Sequence, residues 1–295
     1  MNDLSGFRRG LWSVVTAGLL SGVLFVPNGE AQDLKVVFLA GPKDHGAPGR
    51  HEYERDLSAL AWALENATNL DGITTEVRVG KAPEDLDEIR DASVLVLHSS
   101  GDWLPDETHV LFPPFTTTDG RRYDEETVAY LDEVDELIES GVGVVIFHYT
   151  LWAENWVARS HYMDWIGGLW LPRGSVNPVD TWDMEPIDSD HPILDGVSPW
   201  TYRDEVYTRF LLPMDSRRTD LLLATPEEST VGTQVVSWAF ERPDGGRAFV
   251  FGGADFNDNM YRVDDYRQFL LNGIVWAAGG EVPEGGVEAP TPPSP

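Results

Sequence analysis

The 295-residue chain contains no cysteine. That excludes disulfides, a thiol nucleophile and thiolate metal ligands. Positive charge is also scarce: 21 Lys and Arg stand against 50 Asp and Glu, a net charge of −29. So acidic a chain repels nucleic acid and anionic membrane surfaces. It suits a neutral sugar ligand or a bound cation, and a saline habitat or simple solubility would account for it equally well. No G-x-G-x-x-G, P-loop or G-x-S-x-G occurs, so neither a nucleotide cofactor nor a serine triad is signalled. There is no internal repeat.

One long apolar run is present. Arg8 and Arg9 precede Leu11–Val26, and Gly29-Glu30-Ala31 supplies small residues before Gln32. Residues 1–31 therefore read as a secretory signal peptide, with an uncleaved anchor as the alternative. The reading predicts export to the periplasm or the outside, and no stable membrane insertion after cleavage. Residues 32–280 read as one domain, and 281–295, rich in Pro, Glu and Gly, as a disordered tail.

Strongly apolar runs over 34–40, 92–97 and 142–147 read as buried parallel strands, with 73–79 as a further strand. Helical periodicity is read over 52–67 and 124–139, where Asp124, Glu125 and Glu126 suit a helix N-terminus. Residues 104–123 read as a hairpin-like excursion and 155–167 as a helix. Residues 175–215, rich in Pro, Asp and Trp, read as a loop and short-strand excursion over the sheet edge. Later strands fall at 221–224, 235–240 and 247–251, with Pro243-Asp-Gly-Gly246 a hairpin turn and 266–277 a last helix. The fold class is α/β, a flavodoxin-like doubly wound and mostly parallel sheet.

Three of the seven histidines end or closely follow these apolar strands: His45, His98 and His148. Ligands of open α/β sheets bind at the carboxyl ends of the strands, so the three imidazoles should gather on one edge. His148 follows Gly143-Val-Val-Ile-Phe147 directly, at a sharp turn. It is a candidate general base or metal ligand. The Gly-rich segment Gly41–Glu52 lets backbone approach a ligand, and it carries His45, His51 and Glu52 in a spacing that matches no closed zinc motif. His51-Glu52 reads equally as an exposed helix start. Asp204 and Glu205, beside Tyr207, are candidate orienting or proton-transferring acids, or else solvated charges. Among eleven tryptophans, Trp103, Trp152 and Trp182 are candidates for stacking on a sugar, with packing as the competing role, and Tyr207 is a further candidate for binding the substrate. His109 and His161 have no neighbours that recommend a role.

Several collinear segments then resemble one family: Ala40-Gly-Pro through His51-Glu52, Gly141–Tyr149, Asp164–Gly168, Ser175–Pro178, Asp190–Ile193, Asp204–Tyr207 and Phe269–Ala277. Over about residues 34–288 the chain resembles ThuA-like (trehalose-utilisation) proteins. The resemblance implies a glutamine amidotransferase-like sheet, with His148 where the amidotransferase cysteine would stand, and a link to disaccharide or keto-sugar metabolism. It also implies a divalent metal near the strand ends, zinc or manganese, for which His45, His98 and Asp255 are the candidate ligands. Similar proteins usually have histidine where Asp255 stands, and often where Asn257 stands. Either the site has moved to a more oxygen-rich metal preference, or activity is lost. Two functions stay open: a carbohydrate hydrolase, lyase or isomerase, and a non-catalytic module binding a small molecule or oligosaccharide. A third, with Thr150 as nucleophile, lacks a positioned base.

Overall fold

The structure, a computed structural model, describes residues 33–102, 108–112, 123–187 and 190–294. The signal segment, Trp103 and most of the 104–123 excursion lie outside them. Among the described residues nine strands form one sheet in the order β2-β1-β3-β4-β9-β8-β7-β5-β6. In its first half β1 (Leu34–Ala40), β2 (Ile73–Val79), β3 (Val94–His98), β4 (Gly143–Phe147) and β9 (Arg247–Phe251) are all parallel. In its second half β5 (Val179–Pro186), β6 (Trp200–Glu205), β7 (Arg218–Pro226) and β8 (Gln234–Glu241) pair antiparallel.

Apart from the edge strand β2, the parallel strands are buried on both faces, which is why they read as unbroken apolar runs. Alternation along β1 divides its side chains between two cores. Val36 and Phe38 join α1 (Tyr53–Glu65) and α5 (Asp264–Ala277) on one face. Val37 and Leu39 join α2 (Glu125–Glu139) and α3 (Trp156–Ile166) on the other. The result is a three-layer α/β/α sandwich. A one-turn helix, α4 (Asn259–Arg262), leads into α5. Among the described residues no helix is long and apolar enough to cross a membrane.

Two sequence expectations change. The 175–215 excursion does not lie over the sheet edge; β5 and β6 extend the same sheet. Their burial alternates, with Asp180, Trp182 and Met184 of β5 inward and mostly polar residues outward, a half-exposed pattern that apolar runs do not show. The disordered tail is also corrected. Residues 281–294 run as a strap against α5: Val287 is buried and donates to Asn272 Oδ1 (2.8 Å), and Glu288 N donates to Asn69 Oδ1 (2.9 Å). Backbone hydrogen bonds to helix-borne and loop amides offset the ordering entropy that composition alone leaves unbalanced.

Gly143 opens β4 directly under the end of α5. A Cβ there would stand 2.0 Å from the Ala277 carbonyl oxygen. Because the obstacle is backbone, Gly143→Ala is expected to cost about 2–3 kcal/mol and lower Tm by roughly 5–10 °C. Thermal unfolding followed by circular dichroism checks this, and an unchanged Tm would show that helix and strand can separate freely.

Candidate functional site

Four parallel strands deliver side chains to one place beside the β1/β3 switch point, where chain direction across the sheet reverses. The segment after β1 brings His45 and His51, β3 ends on His98, β4 runs into His148, and the turn after β9 carries Asp255. His51 and His148 both adopt left-handed backbone, with φ of 52° and 50°. Each costs on the order of 1–3 kcal/mol in a non-glycine residue and persists only where surroundings enforce it. Together they bring the two rings to a centroid distance of 5.2 Å. Gly46, itself at φ 82°, passes so close that a Cβ there would lie 2.7 Å from His51 Cδ2.

The centre of the site is His51, His148 and Asp255. All three are buried, and one ligand-capable atom from each lies within 4.8 Å of the others. His148 Nδ1 sits 3.3 Å from the Gly252 carbonyl oxygen, to which it donates. Its Nε2 is therefore the lone-pair nitrogen, and it is buried without a hydrogen-bond partner among the described residues. His51 Nε2 is 3.3 Å from Asp255 Oδ1. Burial, with neighbouring His45 and His98, pushes the His51 pKa down to about 2. Burial, with His51 and His98, holds His148 well below its usual value. Both rings are neutral imidazoles, the form that binds a metal. Burial pushes Asp255 up to about 6, against the pull of Arg50. Two imidazoles and a carboxylate with an unclaimed nitrogen can hold a divalent ion.

Around this centre lie groups with narrower tasks. Arg50 donates through Nε to Asp255 Oδ2 (2.5 Å) and through Nη2 to Glu205. Glu205 also accepts from Asn177 Nδ2 (2.5 Å). Asp204, fully buried, accepts from the backbone N–H groups of Ala254, Asp255 and Phe256 at 2.8–3.1 Å. Burial and the Asp255 charge push its pKa up to about 8, with those N–H groups opposing. It clasps the turn that presents Asp255, so it positions that candidate ligand. Glu52 likewise pins its own loop, accepting from Gly49 N (2.8 Å) and Lys43 Nζ (2.9 Å).

Several candidate residues take other places than the sequence suggested. His98 does not join Asp255. Its Nε2 faces Asp56 Oδ2 at 3.4 Å, without hydrogen-bond geometry, and its ring stands 6.4 Å from that of His148. Asn257 donates to Asp56 Oδ1 (2.5 Å). His45 lies at the mouth, a third exposed, with Nδ1 2.7 Å from Asp44 Oδ1 and its ring 4.1 Å from that of His51. Trp182 is in the core, wholly buried, its Nε1 donating to the Asp204 carbonyl (3.1 Å), so no face of it reaches a ligand. Trp152 is half-buried and packs on Trp170, which packs on Tyr207, whose ring meets His148 edge-on at 4.7 Å. Thr150 is tied to both the N–H and the C=O of Ser99, which removes it as a nucleophile.

The pairing of His51 with His148, and the places of Arg50, Tyr53 and Trp170, do not follow from strand positions in the sequence. The available signal was the glycine pair, Gly46 and Gly49, which turns the loop back toward the sheet.

A doubly wound α/β sheet with this histidine-bearing turn after β4 defines the class of protein. The chain belongs to the ThuA family (Trehalose utilisation), whose family model matches residues 85–277. It is similar to the crystal structure of a ThuA-like protein from Parabacteroides merdae ATCC 43184, at 18% identity and a TM-score of 0.54, covering 88% of this chain and 98% of that one. It is similar also to a ThuA-like protein from Bacteroides uniformis ATCC 8492, at 12% identity and a TM-score of 0.57, covering 85% and 96%. These likenesses concern the fold. A search of curated proteins gave no match.

Proposed function

We propose that this chain is an exported, metal-assisted enzyme acting on a carbohydrate, as a hydrolase, lyase or isomerase of a disaccharide or keto-sugar. The observation that carries the metal is the buried His51–His148–Asp255 group with an unpartnered Nε2 on His148. The carbohydrate class rests on membership of a family described by trehalose utilisation and on the aromatic wall beside His148. A bound zinc or manganese ion would supply Lewis-acid polarisation of a sugar oxygen or a more acidic water.

The protein's own residues do the rest. Asp44 accepts from Nδ1 of His45, which makes Nε2 the acceptor nitrogen of that partly exposed ring. Asp204 fixes the Asp255 turn, and Arg50 orients Asp255 and Glu205 together. Tyr149, Tyr207 and Trp170, all buried, pack beside His51 and His148.

Elemental analysis of the purified chain after equilibrium dialysis against zinc tests the reading. One ion per chain supports it; no bound ion at micromolar zinc overturns it.

A second reading is favoured by Arg50. Its guanidinium already supplies positive charge to Asp255 and Glu205, as a cation would. The site would then be a metal-free binding module for a small molecule or oligosaccharide, releasing its ligand unchanged.

Export is supported by the Arg8, Arg9 and Leu11–Val26 pattern. The expected mature N-terminus is Gln32. Intact mass of the chain recovered outside the cytoplasm checks this, and a recovered chain that keeps residues 1–31 would count against cleavage.

A further inference from the structure

From His51 a line of side-chain hydrogen bonds leads away from the centre. His51 Nδ1 is 3.1 Å from the Tyr53 hydroxyl. That hydroxyl is 3.2 Å from Ser100 Oγ. Ser100 Oγ donates to Asp44 Oδ1 at 2.7 Å. Asp44 also accepts from His45 Nδ1 (2.7 Å) at Oδ1 and from Thr108 N (2.9 Å) at Oδ2. His51, Tyr53 and Ser100 are all buried, so water does not compete for these groups.

The direction of the line follows from its far end. Three donors converge on Asp44, from His45 Nδ1, Ser100 Oγ and Thr108 N, so its carboxylate is their common acceptor. An ionised carboxylate only accepts. Ser100 therefore spends its one proton on Asp44 and accepts from Tyr53. Tyr53 spends its one proton on Ser100 and accepts from His51. His51 must then carry its proton on Nδ1, and its Nε2 presents a lone pair to Asp255 Oδ1, 3.3 Å away. Two acceptors face one another there, beside the lone pair of His148 Nε2, an arrangement that a cation between them relieves.

We propose that Tyr53, Ser100 and Asp44 are positioning residues that lock His51 in its Nδ1–H tautomer and so make Nε2 a metal ligand. The tautomer stands on the hydrogen bonds alone; the metal consequence rests on the function proposed above. Outer partners of this kind orient ligating histidines and raise their basicity, and losing one costs about 10–100-fold in metal affinity.

The test is a two-bond proton–nitrogen correlation spectrum of histidine-labelled protein at neutral pH, combined with a zinc titration. In the unaltered chain without metal, His51 should show its proton on Nδ1. Tyr53→Phe should abolish that preference and weaken zinc about 10–100-fold. Ser100→Ala, which leaves the Tyr53–His51 contact in place, should shift the same nitrogen signals. A mere packing role for Tyr53 would leave His51 unmoved in the Ser100 variant. A proton on Nε2 in the unaltered chain overturns the proposal, as do unchanged His51 signals in both folded variants. If His51 carries its Nδ1 proton but the unaltered chain binds no zinc, the lock stands and the metal reading fails.

Discussion

Replacing His148 by alanine is expected to lower zinc affinity by more than about a hundredfold, beyond what the loss of an outer partner produces. His148 Nδ1 is committed to the Gly252 carbonyl, so all its ligand capacity lies in the one buried Nε2. His51→Ala should do the same. His98→Ala should not, because its ring faces Asp56 and stands 6.4 Å from the His148 ring. Isothermal titration of the four chains with zinc makes the comparison. Equal losses in all three variants would point to general unfolding. A loss confined to His98→Ala would restore the ligand set expected from the sequence, His45, His98 and Asp255. The His148 variant should remain folded: removing one buried ring costs a few kcal/mol at most, while both hydrophobic cores continue beneath it. Near-native circular dichroism, with a Tm lowered by several degrees, would separate ligand loss from collapse.

How far the sequence reached is clearest in that contrast. Strands β1, β3 and β4 were legible because parallel strands buried on both faces carry apolar residues without interruption. Their ends then placed His45, His98 and His148 on one edge. What strand position does not fix is where a ring turns. His98 turns toward Asp56 on α1, a residue whose burial leaves no mark in a charged helix start. His51 follows β1 at a distance and returns to the site only through left-handed backbone, the bridge between Arg50 and Phe256, and its N–H to the Asp255 carbonyl. Of these only the turn of the loop leaves a local mark, the glycines at 46 and 49. Trp182 is hidden for a related reason: β5 is polar at outward positions 181, 183 and 185, so its inward tryptophan looks like part of a loop until β6 and β7 flank it. The departure at Asn257 becomes intelligible only in three dimensions, as the amide that holds Asp56.

The second large effect concerns a histidine with no place in the site. His109 is fully buried, and its Nδ1 accepts from the backbone N–H groups of Leu111 (3.0 Å) and Phe112 (2.9 Å). Its Nε2 donates toward the Tyr162 hydroxyl (2.8 Å) and the Thr150 carbonyl (3.2 Å). Burial pushes its pKa down to about 3. Protonation would also place a hydrogen on Nδ1, where two N–H groups already point. The unfolded residue titrates near the ordinary value of about 6.5. Between those values the unfolded chain holds the extra proton, so stability falls as pH falls, by about 2 kcal/mol at pH 5 from this residue alone. Asp102 and Asp204 act in the opposite sense. Burial pushes them up to about 7 and about 8, and folding then favours their protonated forms as pH drops. The whole-protein curve therefore mixes both signs, and the clean measurement is a difference. His109→Asn keeps a side-chain acceptor at that position but has no titrating group. Urea unfolding of both chains from pH 7 to pH 4 should give stability curves whose slopes differ by close to one proton, the unaltered chain falling more steeply toward acid. Parallel curves would mean that His109 binds its proton in the folded chain as readily as in the unfolded one, and that the turn at 109–112 opens to let it.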